Sequence, residues 1–209
     1  MGSSTPISAT KDVAGVVIAG GRSVRFGGEK AAALLAGRPL LLWACERLRR
    51  SCQQVAVNAR AGSAAERIAA QAQLPVLHDL PGDAAGPLAG VHVGLGWARQ
   101  CGARAIAVSP CDAPLLPEDL FARLMRAAGS GAAMAETADG RQPLCAVWPV
   151  SALPTVTQAL ANGAHPPTWQ VLERAGAVHV RFEDAADFAN INTRADLESL
   201  ARRFRPAAQ

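Results

Sequence analysis

The stretch AGVVIAGGRSVRFGGEK, Ala14 to Lys30, joins an apolar run to a glycine-rich basic loop. Val16, Val17 and Ile18 are β-branched and end at glycines, the signature of a buried strand. The loop that follows, Gly20 to Lys30, holds four glycines, two arginines and one lysine. Glycine lets the backbone approach a ligand closely, and arginine and lysine offer charge-assisted donors to phosphate oxygens. A strand feeding such a loop predicts a triphosphate cradle. The spacing fits neither of two common phosphate motifs. Glu29 separates Gly28 from Lys30, which breaks Walker A, and the glycines are paired rather than spaced as G-x-G-x-x-G. The plainer alternative is a glycine loop with incidental charges.

The order of elements places this loop. Helices are expected over Pro39–Ser51, from Ser63 to Ala72, over Leu88–Gln100 and from Pro117 to Ala127. Strands are expected over Gln54–Val57, Leu74–His78 and Ala105–Ser109. Strict β-α alternation predicts an α/β fold, a doubly wound, mostly parallel, Rossmann-like sheet with right-handed crossovers. Beyond residue 130 the alternation fades. Ala132–Glu136 and Leu144–Trp148 predict an antiparallel element around Ala138-Asp139-Gly140. Helices over Ser151–Ala161 and Thr168–Arg174, a strand over Val178–Arg181 and a helix over Arg194–Arg203 complete the chain. No linker or repeat interrupts it, so residues 12–205 are expected to form one domain, with residues 1–11 a disordered tail.

Composition narrows the function. Of 209 residues, 50% are hydrophobic and 18% charged, which excludes a disordered chain. A net charge of +4 suits a small anionic ligand. No basic recognition helix or aromatic stacking platform points to nucleic acid. No apolar run reaches the length of a membrane span. Five cysteines without C-x-x-C spacing argue against disulfides or structural zinc, and for a reducing cytoplasm. The polar N-terminus does not resemble a signal peptide.

Three polar residues follow predicted strands: Asn58, Asp79 and Asp112. In an open parallel sheet these tips share one edge with the Gly20 loop, and ligands bind at that edge. Asp112 is the candidate Mg²⁺ ligand, since Mg²⁺ prefers oxygen donors and keeps substrate phosphates in its shell. A turn aspartate between Pro110 and Pro114 is the alternative. Lys30 would stabilise phosphate charge, and Asn58 and Asp79 would take the nucleoside. His78, His92, His165 and His179 form no catalytic or metal spacing; His78 reads as a packed strand residue. A site with basic residues, a metal and no activated nucleophile suits direct phosphoryl or nucleotidyl transfer.

The residues also resemble a known family. Ile18-Ala19-Gly20-Gly21, Ser23, Arg25, Gly27 and Glu29-Lys30 are similar to the LAGG-x-S-x-R-M-G-x-D-K signature of nucleotidyltransferases. Gly86-Pro87-Leu88-Ala89-Gly90, Pro110-Cys111-Asp112-Ala113-Pro114 and Asn190-Ile191-Asn192-Thr193 narrow the resemblance to molybdenum cofactor guanylyltransferases, over Val13 to Leu200. The resemblance implies transfer of GMP from GTP to molybdopterin with Mg²⁺, and molybdoenzyme-maturation proteins as partners. It implies that Ile18, Ala19, Gly20, Gly21, Lys30, Asn58, Asp79 and Asp112 bind the nucleotide and that Asp112 also binds the metal. Arg25 would neutralise phosphate charge, and Asn190 and Asn192 would face the metal or the acceptor. The alternative for that pair is a helix-capping turn before Arg194, where Thr193 would serve as a cap on its own. Glu29 and Phe26 depart from the usual Asp and Met, and Asn162 to Thr168 replaces a more basic stretch. Arg141 and Arg174 are candidates for the missing charge. A cytidylyltransferase, a sugar- or isoprenoid-phosphate nucleotidyltransferase and a non-catalytic nucleotide-binding partner remain as alternatives.

Overall fold

The computed structural model describes residues 12–21, 26–83 and 86–203. The tail expected over residues 1–11 lies outside them, as do Ser23 and Arg25. The chain runs β1 (Val13–Ile18), a hairpin of β2 (Leu34–Leu35) and β3 (Arg38–Pro39), α1 (Leu40–Arg49), β4 (Val55–Asn58), α2 (Ala64–Gln71) and β5 (Val76–Leu77). It continues through α3 (Pro87–Gln100), β6 (Ala105–Pro110), α4 (Leu120–Ala128), β7 (Ala133–Thr137) and β8 (Gly140–Pro149). It closes with α5 (Leu153–Leu160), α6 (Thr168–Arg174), β9 (Val178–Arg181) and α7 (Arg194–Arg203).

Seven strands form one sheet in the order β5-β4-β1-β6-β8-β7-β9. Only β8 opposes its neighbours, pairing antiparallel with both β6 and β7. This is the predicted antiparallel element, inserted between two parallel strands. From β1 the chain moves to β4 and β5 on one side, then crosses back to β6 on the other. The reversal lies between β1 and β6, the point where such sheets open a crevice at their carboxyl edge.

Alternation along the strands builds two cores. Val17, Val55, Val57, Ala107 and Val147 face one side, against Leu41 and Leu48 of α1, Ala65 and Ala69 of α2, and Phe121 and Leu124 of α4. Ala14, Val16, Ile18, Ile106, Val108 and Trp148 face the other, against Leu88, Val91 and Leu95 of α3, Val156 of α5 and Val171 of α6. Two-sided burial explains why the parallel strands read as continuous apolar runs. At about 25 cal/mol per Å² of apolar surface removed from water, these faces are the main stabilising term. Helix α3 lies especially close to the sheet: a Cβ on Gly94 would meet Val16 Cγ2 at 3.1 Å.

A third, smaller cluster joins Phe26, Leu35, Leu40, Ile191 and Leu200. It ties the end of the glycine loop and the β2–β3 hairpin to α7. The hairpin turn uses two left-handed residues, Ala36 (φ 50°) and Gly37 (φ 77°), as tight antiparallel turns require. Pro39 pairs with Leu34 in this hairpin, so it precedes α1 instead of occupying the expected first turn. Similarly α4 begins at Leu120, after the turn containing Pro117 and Glu118. Only Val76 and Leu77 of the expected Leu74–His78 strand join the ladder.

Candidate functional site

The strand tips are level. Ile18 pairs with Asn58 on one side and with Pro110 on the other, and Asn58 pairs with Leu77. The residues just past these positions therefore gather at one edge. They line a cleft of about 850 Å³ that includes Ile18, Ala19, Gly20, Gly21, Lys30, Asn58, Asp79 and Asp112. Every predicted nucleotide-binding residue is on this surface.

Two polar clusters organise the cleft, one of three residues and one of two. On the β6 side, Lys30 Nζ lies 3.0 Å from Asp112 Oδ2 and 2.9 Å from Asn192 Oδ1. Lys30 comes from a short 3₁₀ turn, Lys30–Ala32, that ends the glycine loop. Asp112 follows β6, and its backbone carbonyl accepts from Ile191 N at 2.8 Å. Asn192 is held by α7: its amide and that of Thr193 donate to Asp196, while Thr193 Oγ1 accepts from Asp196 N. This reciprocal cap confirms the role expected of Thr193. These amides hold the Asp196 carboxyl below its ordinary range. Asn190 is exposed and stands outside the cluster.

On the β5 side, Asn58 Nδ2 donates to Asp79 Oδ1 at 2.8 Å and to the Leu77 carbonyl at 3.2 Å. Asn58 is buried, so its amide is fixed by these two acceptors and by α3 above it.

The outer wall adds further residues to the cleft. Glu29 accepts from the Ala64 amide at the start of α2 and pairs with Arg60. Arg60, Ser63, Asp83 and Leu144 line the cleft beside it. Ser63 caps α2, as expected, by accepting from Glu66 N at 3.2 Å. Gly86 carries the ring of His165, whose atoms occupy the space of a Cβ. His78 is not packed within a strand. It follows β5, hydrogen-bonds the Ala59 carbonyl and reaches Glu66. Arg141 pairs with Glu173 and lies over the Trp169 ring.

The oxygen donors at the β6 end suit a hard divalent cation. Asp112 Oδ2 and Asn192 Oδ1 converge on one ammonium, and a carboxylate with an amide oxygen is the donor chemistry Mg²⁺ takes. Among the described residues, no group of three or more His, Cys, Asp or Glu side chains could hold a metal alone. The donor set therefore fits an ion that brings phosphate oxygens and water with it.

Residues 15–178 match the model of the MobA-like NTP transferase domain. The chain belongs to the MobA-like NTP transferase family. Within that family it is 38% identical over 193 residues to a molybdenum cofactor guanylyltransferase of Cereibacter sphaeroides, covering 90% of this chain and 97% of the relative. It is 38% identical over 201 residues to one of Cupriavidus necator, covering 91% and 97%. The fold resembles the molybdopterin-guanine dinucleotide biosynthesis protein A of Archaeoglobus fulgidus, with a TM-score of 0.73 and 23% identity over 91% of this chain and 98% of that one. It also resembles a 4-diphosphocytidyl-2C-methyl-D-erythritol synthase of Anaerococcus prevotii, with a TM-score of 0.71 and 12% identity, covering 93% of this chain and 96% of that one. The MobA-like NTP transferase fold thus accounts for the mostly parallel sheet and for the edge that carries the cleft.

Proposed function

We propose that this chain is a Mg²⁺-dependent molybdenum cofactor guanylyltransferase, acting as one nucleotidyltransferase domain over residues 12–205. The observation that carries the reading is the Lys30 ammonium held between Asp112 and Asn192, at the mouth of a cleft walled by glycine backbone. The names of the 38%-identical relatives support guanine as the base and molybdopterin as the acceptor.

In this reading the triphosphate lies along Ala19, Gly20 and Gly21, with Lys30 on its charge. Arg25, from the same loop, adds a second cation to the phosphates. Asn58 and Asp79 take the nucleoside. A bound Mg²⁺, held by Asp112, supplies charge neutralisation at the phosphates. An oxygen of the acceptor's terminal phosphate bonds to the α-phosphorus of GTP. The bond from that phosphorus to the bridging oxygen breaks, and pyrophosphate leaves with its electron pair. The attacking oxygen is already anionic, so no general base is required. The chain's contribution is alignment and charge stabilisation. Asn192, and Asn190 beside it, face the acceptor side. A cytoplasmic location and delivery to molybdoenzyme-maturation proteins belong to the same reading. In support, no helix among the described residues is long and apolar enough to cross a membrane, and the five cysteines are free.

The test is incubation with molybdopterin, Mg²⁺ and each of the four NTPs in turn, with the dinucleotide product and pyrophosphate quantified by mass spectrometry. GTP alone should be turned over, and Asp112→Asn should reduce the rate by about a hundredfold or more. Turnover of CTP alone, or an unchanged rate in Asp112→Asn, would overturn the assignment.

A further inference from the structure

His92 lies on α3 and is buried, yet both ring nitrogens are engaged. Nε2 is 2.9 Å from Thr157 Oγ1 on α5, and Nδ1 is 2.9 Å from Asp83 Oδ2. The Asp83 carboxylate can only accept, so Nδ1–H is the donor toward it, and Nε2 meets the Thr157 hydroxyl, which also lies 2.9 Å from the Leu153 carbonyl. The ring is thus locked in orientation by α5, and its other nitrogen is presented to Asp83. Little of either side chain is exposed, 10% for His92 and 12% for Asp83.

Asp83 enters the nucleotide cleft from the connection that follows β5. Among the described residues, its turn is closed by a backbone bond from Asp83 N to the Leu80 carbonyl, next to Gly82 at φ 95°. Such a turn leaves the carboxylate free to rotate unless something holds it. His92 does so. His92 and Thr157 also line a separate groove of about 1050 Å³, while Asp83 lines the cleft.

We propose that His92 is a positioning residue for nucleotide binding: through Thr157 and α5 it holds the Asp83 carboxylate toward the cleft, where it accepts hydrogen bonds from the nucleoside. This rests on the nucleotidyltransferase reading above. With one oxygen on His92, the carboxylate turns its other oxygen to donors such as ring N–H, amino or ribose hydroxyl groups. The Lys30 end, by contrast, is built for phosphates, and β4 and β1 lie between the strands that carry the two ends.

The test compares wild type, His92→Gln and His92→Asn, with GTP and with inorganic tripolyphosphate titrated in the presence of Mg²⁺. Glutamine places its amide near Nε2 and keeps the Thr157 contact but releases Asp83. Asparagine places its amide near Nδ1 and keeps Asp83. His92→Gln should weaken GTP about tenfold, the scale of one hydrogen bond to a charged group, and leave tripolyphosphate unchanged. His92→Asn should recover most of the loss. In turnover, KM for GTP should rise in His92→Gln while kcat stays within about twofold, since only binding is affected. Equal GTP binding by wild type and His92→Gln overturns the proposal. So does an equal loss for GTP and tripolyphosphate, which would mark a purely structural residue. Failure of the wild type itself to bind GTP would instead overturn the functional reading beneath it.

Discussion

A Cβ on Gly90 would lie 2.4 Å from Oδ1 of Asn58, so the first turn of α3 reaches the tip of β4 only because residue 90 has no side chain. Alanine at this position must push Asn58 away from Asp79. The first prediction follows: Gly90→Ala weakens GTP binding about tenfold or more, through loss of a buried hydrogen bond and its geometry. Alanine favours the helix by about 1 kcal/mol, which offsets part of the packing cost. Affinity should therefore fall much further than melting temperature, and titration calorimetry beside thermal unfolding checks this.

Lys30 sits between two oxygens at 3.0 and 2.9 Å, a gap fitted to a compact ammonium. Arginine carries the same charge on a broad planar fork. Lys30→Arg should therefore lose nearly as much kcat as Lys30→Gln, on the order of 10²-fold or more. Steady-state kinetics with saturating GTP would show it. Near-normal turnover in Lys30→Arg would mean that charge alone suffices.

Glu29 reaches across to the first amide of α2 and pairs with Arg60. Glu29→Ala should cost about 1 kcal/mol, the scale of a lost helix cap. Glu29→Asp is one methylene shorter and should recover only part of it. Urea midpoints at constant m-value distinguish the three proteins.

Burial pushes the Cys45 thiol from 9.0 up to about 11, against the opposing pull of Arg49 and Arg38. Burial alone pushes Cys52 to about 12. Below pH 9 both folded and unfolded thiols are protonated, and this contribution is complete. Above it the unfolded chain releases protons first, so stability declines as pH rises from 9 through about 11 and 12. The chain has no tyrosine and two lysines, and burial raises the Cys111 and Cys145 thiols in the same direction. Melting temperatures between pH 7 and 10.5 should fall for wild type and fall less steeply in the Cys45→Ala, Cys52→Ala double variant, where buried Cys111 and Cys145 still contribute.

The parallel half of the fold was readable because its strands are buried on both faces and its helices have apolar stripes. Val178–Arg181 and Arg194–Arg203 were expected with the bounds they have. The β2–β3 hairpin was not, because two-residue strands carry no period. At the site, Asn58, Asp79 and Asp112 stood out because each follows a strand. Asp83 and Arg60 did not, since nothing local marks a loop residue as facing a cleft. Gly90 and His92 were hidden for another reason. Their importance lies in what they touch on other elements, a close approach in one case and two hydrogen bonds in the other.

The third cluster sets an order of events for the newborn polypeptide. Phe26 and Leu35 find their partners in Ile191 and Leu200, and Lys30 finds one of its oxygens in Asn192. Asn192 lies 162 residues after Lys30. The phosphate end of the cleft thus reaches its finished form only after Asn192 has been made, while the Asn58–Asp79 pair joins residues 21 positions apart.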